Sequence, residues 1–237
     1  MPLFKLIPSG LILLLIFSCS NQKPEIKEVS DYCEIIESKL WSFSRLSKYE
    51  KEKFKELQEK RLSKYIDLFM EAGELNNIDW ELIAAVAFQE SQWNPKARSA
   101  TEVKGMMMLT LPTAKSLGVN NRLNAKQSIM GGGKHLANLS NQVEYGTSSG
   151  DRIAFVLATY NLGFSNIKNI IDSTGLNRSE VRWLDLEEKL LNDVDNNALP
   201  GNSKDYSRGQ QTVDFVERVR DYYYLLLSGN CDQELIN

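Results

Sequence analysis

One histidine and three widely separated cysteines are all that 237 residues contain of the softer metal ligands. Sites built on imidazole and thiolate need such residues a few positions apart, so no metal centre and no cofactor is expected, and the lone His135 reads as a partly buried helix residue. Charge of one sign is missing too: 28 Lys and Arg face 31 Asp and Glu, a net charge of −3. Without a basic stripe interleaved with aromatics, nucleic acid is not an expected partner. Alternation of apolar and polar residues, the mark of half-buried strands, is absent apart from a short candidate extended piece around Val103 to Met107. The expected fold class is therefore all-α.

What is present begins with an export signal. Lys5 supplies a basic start, and Leu11 to Phe17 is an apolar run too short to span a bilayer as a mature helix. The residues that follow, Ile16-Phe17-Ser18-Cys19, resemble the lipobox of bacterial lipoproteins, which implies cleavage after residue 18 and lipidation of Cys19. Under that resemblance Ser20 implies delivery to the outer membrane, on its periplasmic face. Residues 19–30 are polar and form an expected tether, leaving 31–237 as a single domain with a net charge near that of the whole chain. An oxidising compartment makes Cys33 and Cys231 a candidate disulfide joining the two termini; two free thiols are the alternative.

Along 31–237 the apolar residues recur at helical spacing. Asp31 to Gly73 carries a mixed-charge middle that reads as a solvated helix face. Asp79 is a candidate N-cap for the next helix, which Asn94-Pro95 should end because the residue before proline avoids helical geometry. Thr110 and Asn124 are candidate caps for two further helices, and the second contains Gly131, Gly132 and Gly133. Glycines cost stability inside a helix unless another backbone comes close. Asp151 opens an apolar helix that stops at Gly163; shorter ones are expected at Ser165 to Asp172 and Ser179 to Leu191. Asn192 to Ser207 reads as a loop, and Arg208 to Leu227 as the last helix.

One acid stands out. On the helix beginning near Trp80, Ile83, Val86 and Glu90 share a face, so the side that should enter the core ends in a carboxylate. Taking a carboxyl out of water favours its neutral form, which suits a general acid. The plain alternative is that Glu90 turns back to solvent or pairs with Lys96 or Arg98.

Four ordered motifs bear on that choice: ESQWNPKARS from Glu90 to Ser99, GMMMLT from Gly105 to Thr110, TAKSLG from Thr113 to Gly118, and YNLG from Tyr160 to Gly163. Together with Tyr206 to Gly209 and Phe215 to Val219, they resemble the soluble lytic transglycosylase family over about residues 65–222. The methionine-rich version is most like the family's membrane-bound F branch. The resemblance implies a goose-type lysozyme-like helical fold, and peptidoglycan glycan strands as the substrate. It implies cleavage of the bond between N-acetylmuramic acid and N-acetylglucosamine without water, leaving 1,6-anhydro ends. It casts Glu90 as general acid and then base, with Ser99, Met107, Met108, Tyr160, Asn161 and Tyr206 contacting substrate or supporting the acid. Members of the F branch also carry an N-terminal solute-binding-like domain; here a lipid-anchored catalytic module alone is expected.

Departures from the family pattern keep alternatives open. Glu102 stands where a glycine is frequent, so the turn is expected to differ or to bring a second acid near the site. Gln211 and Phe215 replace a family Glu and Tyr. A hydrolytic goose-type lysozyme and a catalytically silent peptidoglycan-binding lipoprotein are the competing readings.

Overall fold

The computed structural model describes residues 44–192 and 207–234, with side chains as far as Gly229. The lipidation, disulfide and Tyr206 expectations fall on Cys19, Cys33, the Cys231 side chain and Tyr206, outside the described residues, as does nearly all of the expected loop after Asn192.

Among the described residues the chain forms nine α-helices and no named strand: α1 (Lys48–Lys60), α2 (Ile66–Asn76), α3 (Trp80–Ser91), α4 (Leu111–Ser116), α5 (Ala125–Gln142), α6 (Ser149–Leu162), α7 (Phe164–Thr174), α8 (Trp183–Asn192) and α9 (Arg208–Glu234). A 3-10 turn at Leu62–Lys64 interrupts the expected long first helix, turning Leu62 inward. The extended piece is only a pair of isolated antiparallel bridges, Arg98 to Lys104 and Lys104 to Leu109.

Helix α3 is the axis of the fold, with α9, α2 and α5 all packed against it. Its sequence explains why. Ile83 through Phe88 are buried on every side, and the three alanines among them let neighbouring helices approach closely. A helix apolar all round belongs inside, and the burial of Ile83, Val86 and Phe88 contributes on the order of 1.5–3 kcal/mol each. Apart from Glu81 in the first turn, polar residues appear only in the last turn, Gln89, Glu90 and Ser91. Asp79 occupies the N-cap position but its side chain does not cap; Oδ2 accepts a hydrogen bond of 2.6 Å from the Tyr223 hydroxyl on α9. Thr110 and Asn124 do cap, accepting from Thr113 N and Gln127 N.

The helix ends at Ser91, before Asn94-Pro95, because Gln92 and Trp93 both turn left-handed, with φ of 51° and 56°. That conformation costs roughly 1–2 kcal/mol at a non-glycine residue. Burial of Trp93 offsets it: the indole is fully enclosed, packs on Phe54 and Phe88 with centroids 5.2 and 4.6 Å away, and donates Nε1 to the Ala84 carbonyl at 2.8 Å.

The glycine triplet in α5 is explained by side chains, where another backbone was expected. A Cβ on Gly132 would come within 2.5 Å of Met107 Cγ and Cε, and one on Gly131 within 2.4 Å of Val119 Cγ2. Gly132→Ala should therefore lower stability by about 1–2 kcal/mol, since overpacking outweighs the gain in helix propensity. In a Met107→Ala background the same change should become neutral or stabilising; equal costs in both backgrounds, measured by urea unfolding, would refute this contact as the cause.

Candidate active site at the end of the central helix

The last turn of α3 faces the loop 92–110, and hydrogen bonds with four side chains fix that loop. Ser91 Oγ donates to Met106 O at 2.7 Å, Ser128 Oγ accepts from Met107 N at 3.1 Å, and Tyr160 Oη donates to Met107 O at 2.7 Å. Arg122 Nη1 reaches both Glu102 O and Leu109 O, at 2.8 and 2.9 Å. Gly105 permits this closeness: its φ is +88°, and a Cβ there would lie 1.8 Å from the Arg122 carbonyl oxygen.

Glu90 is only partly exposed, yet it makes no hydrogen bond to any described residue and is not sealed from solvent. Neither suggested ion-pair partner engages it. Lys96 Nζ points to the Leu123 carbonyl, and Arg98 lies in the exposed loop beside Glu102. Burial pushes the carboxyl up to about 8, and the Arg208 guanidinium nearby opposes a further rise. Loss of hydration without a compensating donor favours the protonated form, so Glu90 is neutral at pH 7 and able to give a proton.

Tyr160, near the end of α6, belongs to the same neighbourhood. Burial raises its phenol well above the ordinary range, and the charge of Glu90 adds to the effect. Its ring stacks on Phe215 at 6.2 Å and 9°, with the His135 ring 5.2 Å away. Phe215 thus supports Tyr160 by a ring face. Asn161 is held from α9: the Thr212 hydroxyl lies 3.0 Å from its Oδ1, and Arg208 Nη2 donates to its carbonyl at 3.4 Å. Arg208 Nη1 also donates to Gln211 Oε1 at 2.8 Å, so Gln211 orients the arginine.

The other expected site residues are distributed differently. Ser99 caps its own loop: its Oγ accepts from Thr101 N and Val103 N at 3.2 Å and lies 2.9 Å from Thr101 Oγ1. Met107 is fully enclosed beneath Gly132, so it offers the neighbourhood of Glu90 its carbonyl rather than its thioether. Met108 is half-buried with φ of 44°. Glu102 keeps the left-handed turn that a glycine would take, with φ of 63°, and its exposed carboxylate pairs with Lys104, which lowers its pKa. Arg208 was not singled out from the sequence; its place in the Tyr206 to Gly209 motif was the available signal. Concavities of about 490 Å³ around Leu117, Val119 and Met130, and about 350 Å³ around Leu82, Leu157 and Trp183, include neither Glu90 nor Tyr160. Chemistry, not cavity size, picks out this site.

An all-α domain that ends its central helix in a dehydrated acid, under a stapled loop, has the plan of the lysozyme-like fold class. Residues 67–181 match the family model of the transglycosylase SLT domain. This segment, just under half of the chain, is similar to that family. The chain is similar to membrane-bound lytic murein transglycosylase F of Shewanella loihica, 43% identical over 171 residues, covering 70% of this chain and 35% of the relative. The protein of the same name from Ectopseudomonas mendocina is 39% identical over 171 residues, 71% of this chain and 35% of the relative. That from Photobacterium profundum is 34% identical over 206 residues, 86% and 39%. The chain thus spans little more than a third of the length of these curated relatives.

The raised Glu90 pKa carries a stability signature. Below the unfolded-state value near 4.5 the group is neutral in both states; as pH rises to about 8 the native state alone keeps the proton, and stability falls. Glu90→Gln should equal wild type near pH 4 and exceed it by roughly 2–4 kcal/mol at pH 8.5. Parallel stability curves across that range would contradict the burial of this carboxyl.

Proposed function

We propose that the chain is a peptidoglycan lytic transglycosylase that cleaves the β-1,4 bond between N-acetylmuramic acid and N-acetylglucosamine. The feature that carries this reading is the Glu90 carboxyl, pushed up to about 8 by burial and without a hydrogen bond to any described residue, inside the segment that matches the SLT domain. The names of the relatives, lytic murein transglycosylases, support the substrate class.

Glu90 gives its proton to the glycosidic oxygen as positive charge develops at the muramoyl C1, and the C1–O bond breaks. The C6 hydroxyl of the same sugar then bonds to C1, and its proton returns to Glu90. One residue serves as acid and base, and no water is consumed. Closure within one sugar ring supplies the nucleophile at high effective concentration, so no second carboxylate is needed to activate water. The Arg208 guanidinium stabilises Glu90 while it is charged between the two proton transfers. Tyr160 and Asn161 flank the acid, while Ser99 and Met108 line the loop that forms its other wall. Tyr206 is assigned a supporting role on the resemblance alone.

The same reading puts the enzyme on the periplasmic face of the outer membrane through a lipid on Cys19, with Cys33 and Cys231 joined; both rest on the sequence. Mass spectrometry of the mature chain tests them. A diacylglyceryl-modified Cys19 and thiols that resist alkylation until reduction are expected, and an unmodified Cys19 or freely alkylated thiols would contradict the respective claim.

Muropeptides released from purified sacculi should carry 1,6-anhydro ends, and Glu90→Gln should lower their formation by about 10²–10⁴-fold. Wild-type activity should decline as pH rises through about 8, when Glu90 loses its proton. Reducing ends would replace this reading with hydrolysis, and equal yields from wild type and Glu90→Gln would remove the acid from the reaction.

A further inference from the structure

His135 is the chain's only histidine, and its setting is unlike that of a packed core residue. It lies on α5 with its ring centroid 5.2 Å from that of Tyr160, at 47°. Tyr160 is close enough to Glu90 to feel its charge, so the imidazole packs on a neighbour of the acid. The residue is half-buried, and neither ring nitrogen bonds a described residue or is sealed from solvent. Burial lowers its pKa, which leaves the imidazole neutral at pH 7.

A neutral imidazole has one donor nitrogen and one acceptor nitrogen. Partly dehydrated and without a hydrogen-bond partner among the described residues, both nitrogens are open to a ligand, because a polar group in such a place gains more from a new hydrogen bond than one already in water. Tyr160 backs one side of the ring and is itself held by Phe215 and by its hydrogen bond to the Met107 carbonyl. The Tyr160 hydroxyl already donates its hydrogen bond to that carbonyl. On this wall of the site, His135 offers a donor and acceptor pair that no described residue occupies.

We propose that His135 is a substrate-contacting residue, whose two ring nitrogens hydrogen-bond the hydroxyl and acetamido groups of an N-acetylated sugar bound beside Glu90. This rests on the glycan-cleaving reading, but its test does not depend on turnover. A contact of this kind sets which sugars are held and how tightly, so it should act on binding more than on the proton transfers at Glu90. Charge has no part in it. An N-acetylhexosamine is neutral, and the imidazole meets it uncharged.

The uniqueness of His135 gives a direct readout. The full Glu90→Gln chain, purified without a histidine tag, should show one imidazole in a long-range proton–nitrogen NMR spectrum. Adding chitotetraose, a β-1,4-linked N-acetylglucosamine tetramer, should shift both ring nitrogens, and calorimetry should show His135→Phe binding it about tenfold more weakly. His135→Gln, which restores a donor and an acceptor, should recover part of that loss, whereas a purely structural role would not be rescued by the amide. Unmoved nitrogen signals, equal affinities in the His135→Phe protein, or no tetramer binding by the parent would overturn the proposal. Failure of the glycan-cleaving reading appears separately, as equal muropeptide release by wild type and Glu90→Gln.

Discussion

A carboxyl that has given up most of its water without gaining a hydrogen bond from any described residue is the constraint on which the rest of this site depends. Left in solvent, Glu90 would ionise near 4.5; at the end of α3 it keeps its proton up to about 8. The cost of holding it there falls on the fold. An alanine-rich helix buried on all sides brings the acid to the edge of the core, and the loop over it is tied down by Ser91, Ser128, Tyr160 and Arg122. A loosely held loop would admit water and let the carboxyl relax toward its ordinary value.

In the proposed mechanism, one residue acting first as acid and then as base meets opposing demands. Desolvation favours the proton-bearing form, and the Arg208 guanidinium favours the form that has delivered it. Desolvation dominates, which sets the resting state as the acid. Arg208 limits how unfavourable the charged state becomes, and Gln211 and the Asn161 carbonyl fix its position. The close approach of α9 to α8, where a Cβ on Gly209 would lie 2.0 Å from the Leu190 carbonyl oxygen, anchors this end of the helix. Packing far from the acid thereby sets a charge beside it.

Much of this was legible in the sequence because it is local. Helical spacing put Glu90 on the inward face of α3, Thr110 and Asn124 announced their helices, and the glycine triplet demanded a close neighbour. What could not be read depends on contacts between distant segments. The early end of α3 at Ser91 follows from the burial of Trp93 against Phe54 and Phe88, and the neighbour of Gly132 is a methionine side chain from the loop. Glu102 was expected to change its turn or add an acid; it keeps a glycine-like φ, and its pairing with Lys104 keeps it a surface charge. Arg208 lies more than a hundred residues from Glu90, and His135 gains meaning only from the ring of Tyr160 beside it. Neither carries a periodic signal.

The central claim concerns a proton on one carboxyl, and carbon-13 NMR reads that proton directly. In the full chain labelled at glutamate side chains, with the Glu90 signal identified by its absence in Glu90→Gln, the carboxyl resonance should titrate with a midpoint about 8. A midpoint near the ordinary glutamate value would mean that Glu90 is a hydrated carboxylate at neutral pH, and the site built around it would have no acid to offer.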